Sequence, residues 1–195
     1  DGKTTGYVNF ADALTAAQTD ANKGCTLKLL ADVSGTVGVD TGEFAIEING
    51  KSIIGNLQVK KAAKVNIYGG TIREAGVTVA RTAQLTASNT LFAGAINCVG
   101  GGNFKDCIFM GDVSAKGSSF KLNSCEIHGG TLSVSGSAEA EECTVSGTVT
   151  VNNGGSFKST GGTYKNTVNV KSGGTLEIIS GTFDKKLTAE AGSKL

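Results

Sequence analysis

An apolar pair that recurs along most of the chain restricts its fold more than any other feature. Each pair is two apolar residues separated by one residue, and successive pairs begin 17 to 20 residues apart, about 18.6 on average. In a β-strand, this spacing puts the two apolar side chains on one side and the middle residue on the other. The eight pairs are Leu57/Val59, Val77/Val79, Ile96/Cys98, Val113/Ala115, Leu132/Val134, Val149/Val151, Val168/Val170 and Leu187/Ala189.

Two further alternating stretches, separated by turns, follow each pair and complete a coil. Gly100-Gly101-Gly102 is one of the predicted turns, and the second stretch is predicted to start at Val65, Leu85, Phe104, Phe120, Ala138, Phe157 and Leu176. Coils of about 18 to 20 residues with three strands each stack in a parallel β-helix, where neighbouring strands lie about 4.8 Å apart. Parallel crossovers are right-handed in nearly all proteins. We therefore predict an all-β, single-stranded right-handed parallel β-helix, or β-solenoid. The sequence does not have the Leu-x-x-Leu-x-Leu spacing of a leucine-rich repeat, and a β-sandwich would have less regular periodicity.

The chain is predicted to form one elongated domain, residues 25–195, behind an N-terminal cap, residues 1–24. In the cap, Asn9 can begin a short amphipathic helix in which Phe10, Leu14 and Ala17 share a face, and Gly24 is expected to close it. Such a helix would cover the exposed end of the stack. Because the last residues begin another repeat, we expect the natural protein to continue beyond Leu195.

Composition bears both on the fold and on the classes of partner. The chain has 29 Gly and no Pro, which suits many tight turns and unbroken hydrogen-bond ladders. The net charge is +1, so no overall field favours nucleic acid. No apolar run is long enough to cross a membrane, and neither a signal nor an anchor is visible in the sequence. We predict no nucleic-acid partner and no membrane insertion.

The beginning of the chain resembles the start of right-handed β-helix domains in large bacterial cell-surface proteins. The resemblance lies in residues 7–14, 27–33 and 48–53, and in a recurrent Gly-Thr-hydrophobic signature at residues 69–72, 161–164 and 180–183. It covers nearly the whole chain and implies an exported, adhesin-like or pectate-lyase-like scaffold, located extracellularly or at the cell surface. Its motifs are structural, so it carries over no functional residue.

The middle residues of the apolar pairs are the candidate binding face. They form an outward column of short polar side chains, which could bind a glycan, a host or cell-surface protein, or ordered water at an ice surface, or could simply be the solvent face of the stack. The column comprises Gln58, Thr78, Asn97, Ser114, Ser133, Thr150, Asn169 and Thr188.

Cys107, Cys125 and Cys143 are spaced 18 residues apart and are predicted to form one structural column of the stack. Two sulfurs on one zinc lie at most about 4.6 Å apart, whereas the first and third members of a column lie about 9.6 Å apart. A three-cysteine zinc site is therefore not expected. Free buried thiols are favoured, with one disulfide or a metal as the alternatives.

Carboxylates are the groups on which β-helix lyases and glycosidases depend. Here they are scattered or alternate with lysines, which predicts a surface charge ladder and no catalytic pair. The predicted ladder column is Asn66, Thr86, Lys105, Lys121, Glu139, Lys158, Glu177 and Lys194. The single histidine, His128, has no partner of a defined triad and is expected at a solvated turn.

We predict no catalytic residues, metal or cofactor. The expected function is a non-enzymatic structural or adhesive module of a secreted or cell-surface bacterial protein. The alternative is a β-helix that binds or processes polysaccharide and whose catalytic part lies beyond Leu195, and ice binding is a minor alternative. Neither the ligand nor the oligomeric state follows from the sequence.

Overall fold

The computed structural model describes residues 4–195, which form a parallel β-solenoid of about nine turns with one short N-terminal helix. The prediction of an all-β solenoid is therefore confirmed. The first three residues of the predicted cap lie outside the described residues. No helix among the described residues is long and apolar enough to cross a membrane.

Helix α1 spans Phe10–Ala17 and begins as the sequence predicts. The side chain of Asn9 caps it by accepting a hydrogen bond from the backbone N–H of Asp12 at 2.9 Å. Leu14 and Ala17 are buried against the first coils. The helix ends at Ala17 and a 3₁₀ turn follows at Asp20–Asn22, so the expectation that it extends to Gly24 is wrong.

The strands stack in three faces, because each coil of the chain contributes a segment to each face. The strands in chain order are β1 Thr26–Lys28, β2 Val33–Ser34, β3 Val37–Val39, β4 Glu43–Glu47, β5 Ser52–Val59, β6 Lys64–Val79, β7 Gln84–Phe92, β8 Ile96–Cys98, β9 Gly101–Lys105, β10 Ile108–Phe109, β11 Val113–Ala115, β12 Phe120–Asn123, β13 Glu126–Ile127, β14 Leu132–Val134, β15 Ser137–Glu141, β16 Thr144–Val145, β17 Val149–Val151, β18 Ser156–Tyr164, β19 Val168–Val170, β20 Thr175–Phe183 and β21 Leu187–Ala189.

Face A contains the apolar pairs: β3, the end of β5, the end of β6, β8, β11, β14, β17, β19 and β21 pair in parallel in that order. Face B begins at β1 and β4 and continues to the first half of β20. Face C contains the short third strands, from β2 to the end of β20.

The core is the space enclosed by the three faces, and apolar side chains fill it from Leu29 to Leu176. Both members of nearly every face A pair are at most 2% exposed, and aromatic rings stack from coil to coil, as in Phe92 on Phe109 at 5.2 Å. Only three polar residues are buried among the described residues: Ser52, Thr90 and Ser159. Burial of apolar area along the whole stack is thus the main stabilising contribution.

A left-handed backbone residue forms the corner between faces B and C. Non-glycine residues with positive φ are uncommon, and those that tolerate it best are Asn and Asp. The corner column is Gly69, Asn89, Asp106, Ser124, Glu142 and Gly161, with φ between 47° and 76°. At least one such residue in each of these coils turns the chain from face B to face C without a longer loop.

Glycines line the corner between faces C and A for a different reason, which is close approach between coils. A Cβ added at Gly130 would lie 2.3 Å from the carbonyl oxygen of Gly111 in the preceding coil, and at Gly147 it would lie 1.7 Å from that of Gly130. The backbone atoms of the preceding coil cannot move aside as the end of a flexible side chain can. The absence of a side chain here therefore sets how closely the coils stack.

One coil departs from the predicted alignment. The sequence suggests Phe104 as the partner of Leu85 and Phe120, but the structure pairs Gly102 with both. A Cβ on Gly102 would lie 2.7 Å from the ring of Phe104 and 3.0 Å from that of Phe120. Gly101 and Gly102 are therefore strand residues of β9 and not turn residues. At Gly102, the two aromatic rings fill the space that a side chain would need.

Candidate functional surface on face A

All eight residues of the predicted binding column lie in one register on face A. Each pairs with the next at the same position of the neighbouring coil, from Gln58 to Thr188. Gly38 precedes Gln58 in the same column and was not predicted, although Val37-Gly38-Val39 has the same pattern. Thr78 is exposed and the other seven predicted residues are half-buried. Their inward neighbours form the core, so the column position follows from the alternation alone.

Two flanking columns widen this surface in the later coils. Thr131, Thr148 and Thr167 precede the central column, as the hydrogen bonds from Leu132 N to Thr148 O and from Val149 N to Thr167 O show. Ser135 and Asn152 follow it. We call these eight residues the hydroxyl patch: Thr131, Ser133, Ser135, Thr148, Thr150, Asn152, Thr167 and Asn169.

The side chains of the hydroxyl patch are uncharged, and three of them are hydrogen-bonded to one another. Neighbouring outward residues on one strand are about 7 Å apart and neighbouring coils about 4.8 Å apart. The Asn152 amide donates to Ser133 Oγ at 2.9 Å and to Ser135 Oγ at 3.0 Å, which fixes the orientation of all three side chains. At the end of the column, Thr188 Oγ1 donates to Asn169 Oδ1 at 2.5 Å. Such a surface can exchange hydrogen bonds with a neutral polar partner.

Asn97 is the exception in this column. Its Oδ1 is buried and has no hydrogen-bond partner within residues 4–195. Since an unpaired buried acceptor carries a desolvation penalty of about 1–3 kcal/mol, this side chain lowers the stability of its coil. Its neighbours in the column, Thr78 and Ser114, lie in the adjacent coils.

The three cysteines of the predicted column are stacked inside the corner between faces B and C. Cys107, Cys125 and Cys143 are at most 1% exposed, and all five cysteines are free thiols. Contact with the Cys125 thiol, together with burial, raises the pKa of Cys107 and Cys143. The two neighbouring thiols in turn lower the pKa of Cys125. Its sulfur is nevertheless sealed from solvent, and the column packs as small core residues.

The remaining two thiols are separate from this column. Burial raises the pKa of the Cys98 thiol to about 12, and burial also raises that of Cys25. A protonated thiol is a weak nucleophile. Within the described residues, no group of three or more Cys, His, Asp or Glu side chains is arranged to hold a metal ion.

The charge ladder on face B forms in part. Nζ of Lys121 lies 2.9 Å from a Glu139 carboxylate oxygen, and Nζ of Lys158 lies 3.3 Å from one of Glu177. These side chains are about half exposed, so each pair contributes only about 0.2–1 kcal/mol. The prediction for Lys194 is wrong, because this residue pairs with Thr175 and not with Glu177.

The alignment of Lys105 is wrong for the same reason as that of Phe104. Asn103 takes the ladder position beside Lys121, and Lys105 instead pairs with Asn123. His128 is exposed, as expected, and its Nε2 lies 2.8 Å from a carboxylate oxygen of Glu126 on the outside of face C. No carboxyl group among the described residues is buried.

Two shallow cavities lie on face B near its N-terminal end. Their volumes are about 260 and 250 Å³, and both are bordered by Glu43 and Lys64. These volumes fall below the roughly 300–1,000 Å³ of ordinary small-molecule pockets. The Glu43 carboxylate already has two ammonium neighbours, Lys23 at 3.3 Å and Lys64 at 4.0 Å. Neither cavity brings together groups suited to catalysis.

Comparison of the chain with known protein families, with curated proteins and with solved structures finds no significant match. The fold is therefore established by the register of the coils alone, and it is that of a parallel β-solenoid of about nine turns.

Proposed function

We propose that the chain is a non-enzymatic structural module, a stiff spacer in a secreted or cell-surface bacterial protein, and that face A is its adhesive surface. The observation that carries this proposal is the continuous apolar interior, which leaves only three polar residues buried in residues 4–195. Nine stacked coils at about 4.8 Å give a body about 40 Å long. The extracellular location rests on the resemblance of the chain to surface β-helix domains.

The placement of the acidic groups supports a non-enzymatic role. Glycoside cleavage by two carboxyl groups needs one with a raised pKa to act as the acid. Such a shift comes from burial or from a like charge, and every carboxyl group described lies on the outside. The neighbouring Lys171 ammonium instead lowers the pKa of Glu190.

Stiffness can be tested with two spin labels, one at each end of the solenoid. In a Cys25→Ala background, labels at Lys61→Cys and Ser172→Cys sit on the turns after face A, six coils apart. We expect a narrow distance distribution centred near 29 Å, apart from the length of the labels. A broad distribution would contradict the spacer role.

The enzymatic alternative is tested by incubation with acidic and neutral polysaccharides, where new reducing ends or unsaturated products would overturn the proposal.

Neutral glycan is the second candidate, and the hydroxyl patch is the observation that favours it. Its side chains are uncharged and partly oriented by Asn152, although the patch has no aromatic residue to stack on a sugar ring. Thr150→Lys would place a charge at its centre and should abolish binding on a glycan array. Thr144→Lys, the same change on face C, is the matched control and should leave binding intact.

Ice binding would appear as faceted ice crystals and a gap between the melting and freezing temperatures, and spherical crystals would exclude it.

A further inference from the structure

An apolar patch lies on the outside of face C, in the middle of the solenoid. Among residues 31–177, Ile108 and Met110 are the only large apolar side chains that are exposed, by 38% and 49%. In the preceding coil, Leu91 pairs with Ile108, and Ala93 lies level with Met110. We call these four residues the face C patch. Contiguous exposed apolar surface marks a contact site more often than scattered single residues do.

Charged and polar residues border the face C patch in both neighbouring coils. The same two outward columns hold Thr71 and Arg73 one coil before the patch. They hold Glu126 and His128 one coil after it. The patch therefore has a cationic residue on one side along the stack and an anionic residue on the other.

The two coils of the patch differ in height. Ile108 and Met110 are exposed, whereas Leu91 is half-buried and Ala93 has only a methyl group. A second copy whose coils run in the opposite order would place its protruding coil on the recessed one, with Met110 over Ala93 and the two other residues over each other. If the coils ran in the same order, Met110 would meet Ile108 and the recessed coils would leave a gap. Close packing therefore favours the opposite order.

The charges agree with this order of coils, because it also puts the coil of Arg73 over the coil of Glu126 in the second copy. Arg73 donates from Nε and Nη2 to Ser52 Oγ at 3.1 and 2.5 Å, so three of its five N–H groups remain for another acceptor. The Glu126 carboxylate lies 2.8 Å from Nε2 of His128, which shares a column with Arg73. This carboxylate is therefore on the side of face C that the guanidinium of the second copy would occupy.

We propose that two copies of the chain associate through face C, with antiparallel solenoid axes and with Met110 of each copy over Ala93 of the other. The two-fold axis runs parallel to the strands and passes between the two coils of the patch, so every contact occurs twice. Apolar side chains of both copies are buried at the centre, and each Arg73 pairs with Glu126 of the other copy at the border. Face A stays free, so the proposal does not depend on an adhesive role of face A.

The size of face C determines how strong this dimer can be. A face three residues wide is about 10 Å across, and an overlap of about eight coils is about 38 Å long. Each copy would then bury roughly 400 Å², or about 800 Å² for both, which is below the range of stable complexes. We therefore expect a dimer that forms at high concentration and dissociates on dilution.

Sedimentation equilibrium of the full chain, from micromolar to millimolar concentration, tests for this dimer. Met110→Lys places a charge in the apolar centre and should raise the dissociation constant at least about tenfold. Thr86→Lys adds the same charge at an exposed position of face B and is the matched control, which should have little effect. Equal effects of the two substitutions would overturn the proposal.

Exchange of charges tests the pairing at the border. Glu126→Lys puts a cation opposite Arg73 of the other copy and should weaken the dimer at least about tenfold. Glu126→Lys combined with Arg73→Glu should restore it, and circular dichroism melting checks that each variant remains folded. A dimer unaffected by Glu126→Lys, or a folded double variant that does not recover, would contradict the antiparallel arrangement.

A spin label at Lys165→Cys reports the order of the coils directly. Lys165 lies on the outside of face C three coils after Met110, and a Cys25→Ala background leaves only buried cysteines. In the antiparallel dimer the two labels should lie about 35 Å apart, whereas coils in the same order would bring them to about 10 Å. The shorter distance would overturn the proposal. A monomer at every concentration would also overturn it and leave the face C patch to a different polypeptide.

Discussion

Replacement of Gly130 by alanine should break the close contact between two coils. A Cβ at this position would lie 2.3 Å from the carbonyl oxygen of Gly111 and 2.5 Å from the N atom of Asp112. An ordinary contact begins at 3.4 Å, so the coils would have to separate locally by about 1 Å. The obstacle is backbone on both sides, and no rotamer change can relieve it.

The energetic cost follows from the bonds that this separation stretches. Val113 N donates to Thr131 O at 2.9 Å, and Thr131 N donates to Asp112 Oδ1 at 2.7 Å. Moving the coils apart by about 1 Å breaks or weakens both, at about 0.5–1.5 kcal/mol each. Strain in the packed core beside them adds about 1–3 kcal/mol, and the lower entropy of the unfolded alanine chain returns about 0.4–1 kcal/mol. The midpoints of these ranges give a net loss of about 3 kcal/mol, and we expect a value between about 2 and 4 kcal/mol.

Thermal unfolding followed by circular dichroism measures this loss. For a chain of this size it corresponds to a fall in Tm of roughly 5–15 °C. Gly129→Ala is the matched control, because the added Cβ would lie 3.1 Å from Met110 O and the backbone there is not left-handed. It should change stability by less than about 1 kcal/mol. Equal melting temperatures for the two variants would refute the argument that coil spacing depends on Gly130.

Three other properties can be checked independently. Thiol titration should find all five cysteines reactive in denaturant without reduction. In the native protein, Cys98 should not react near neutral pH, because burial raises its pKa to about 12. Burial also raises the pKa of Tyr164 from 10.0 to about 12. The protonated hydroxyl therefore contributes its full share of the free energy of unfolding below pH 10, and about 2–3 kcal/mol of that free energy is lost as the pH rises to 12. Tyr164→Phe should flatten this part of the plot of stability against pH. At the left-handed corner, Asn89→Val should lower the free energy of unfolding by about 1–2 kcal/mol and Asn89→Gly by less, as measured by urea denaturation.

The predicted binding column and the cysteine column could be placed from spacing, because the first lies on strands with regular alternation and each cysteine directly precedes a strand of face C in three coils of equal length. The eight column residues from Gln58 to Thr188 occupy one register, and Cys107, Cys125 and Cys143 occupy another. Errors appeared where coil length varies. Gly102 and not Phe104 aligns with Phe120, since the size of the neighbouring rings decides which residue fits and periodicity carries no information on size.

The corners could not be derived from the pattern of apolar residues. Asn89 and Asp106 are residue types that tolerate a left-handed backbone, which is a usable signal, but Ser124 and Glu142 take the same conformation without one.

Local alternation, which acts over neighbouring residues, was sufficient to determine the repeat, the direction of each side chain along the strands and the parallel solenoid. Contacts between residues a whole coil apart decided the rest: the close approach at Gly130 and the hydrogen bonds that orient the hydroxyl patch. These depend on distances between coils, which arise only once the chain has stacked upon itself. Burial and pairing are therefore properties of the assembled stack, whereas the tendency to form it is present in each repeat.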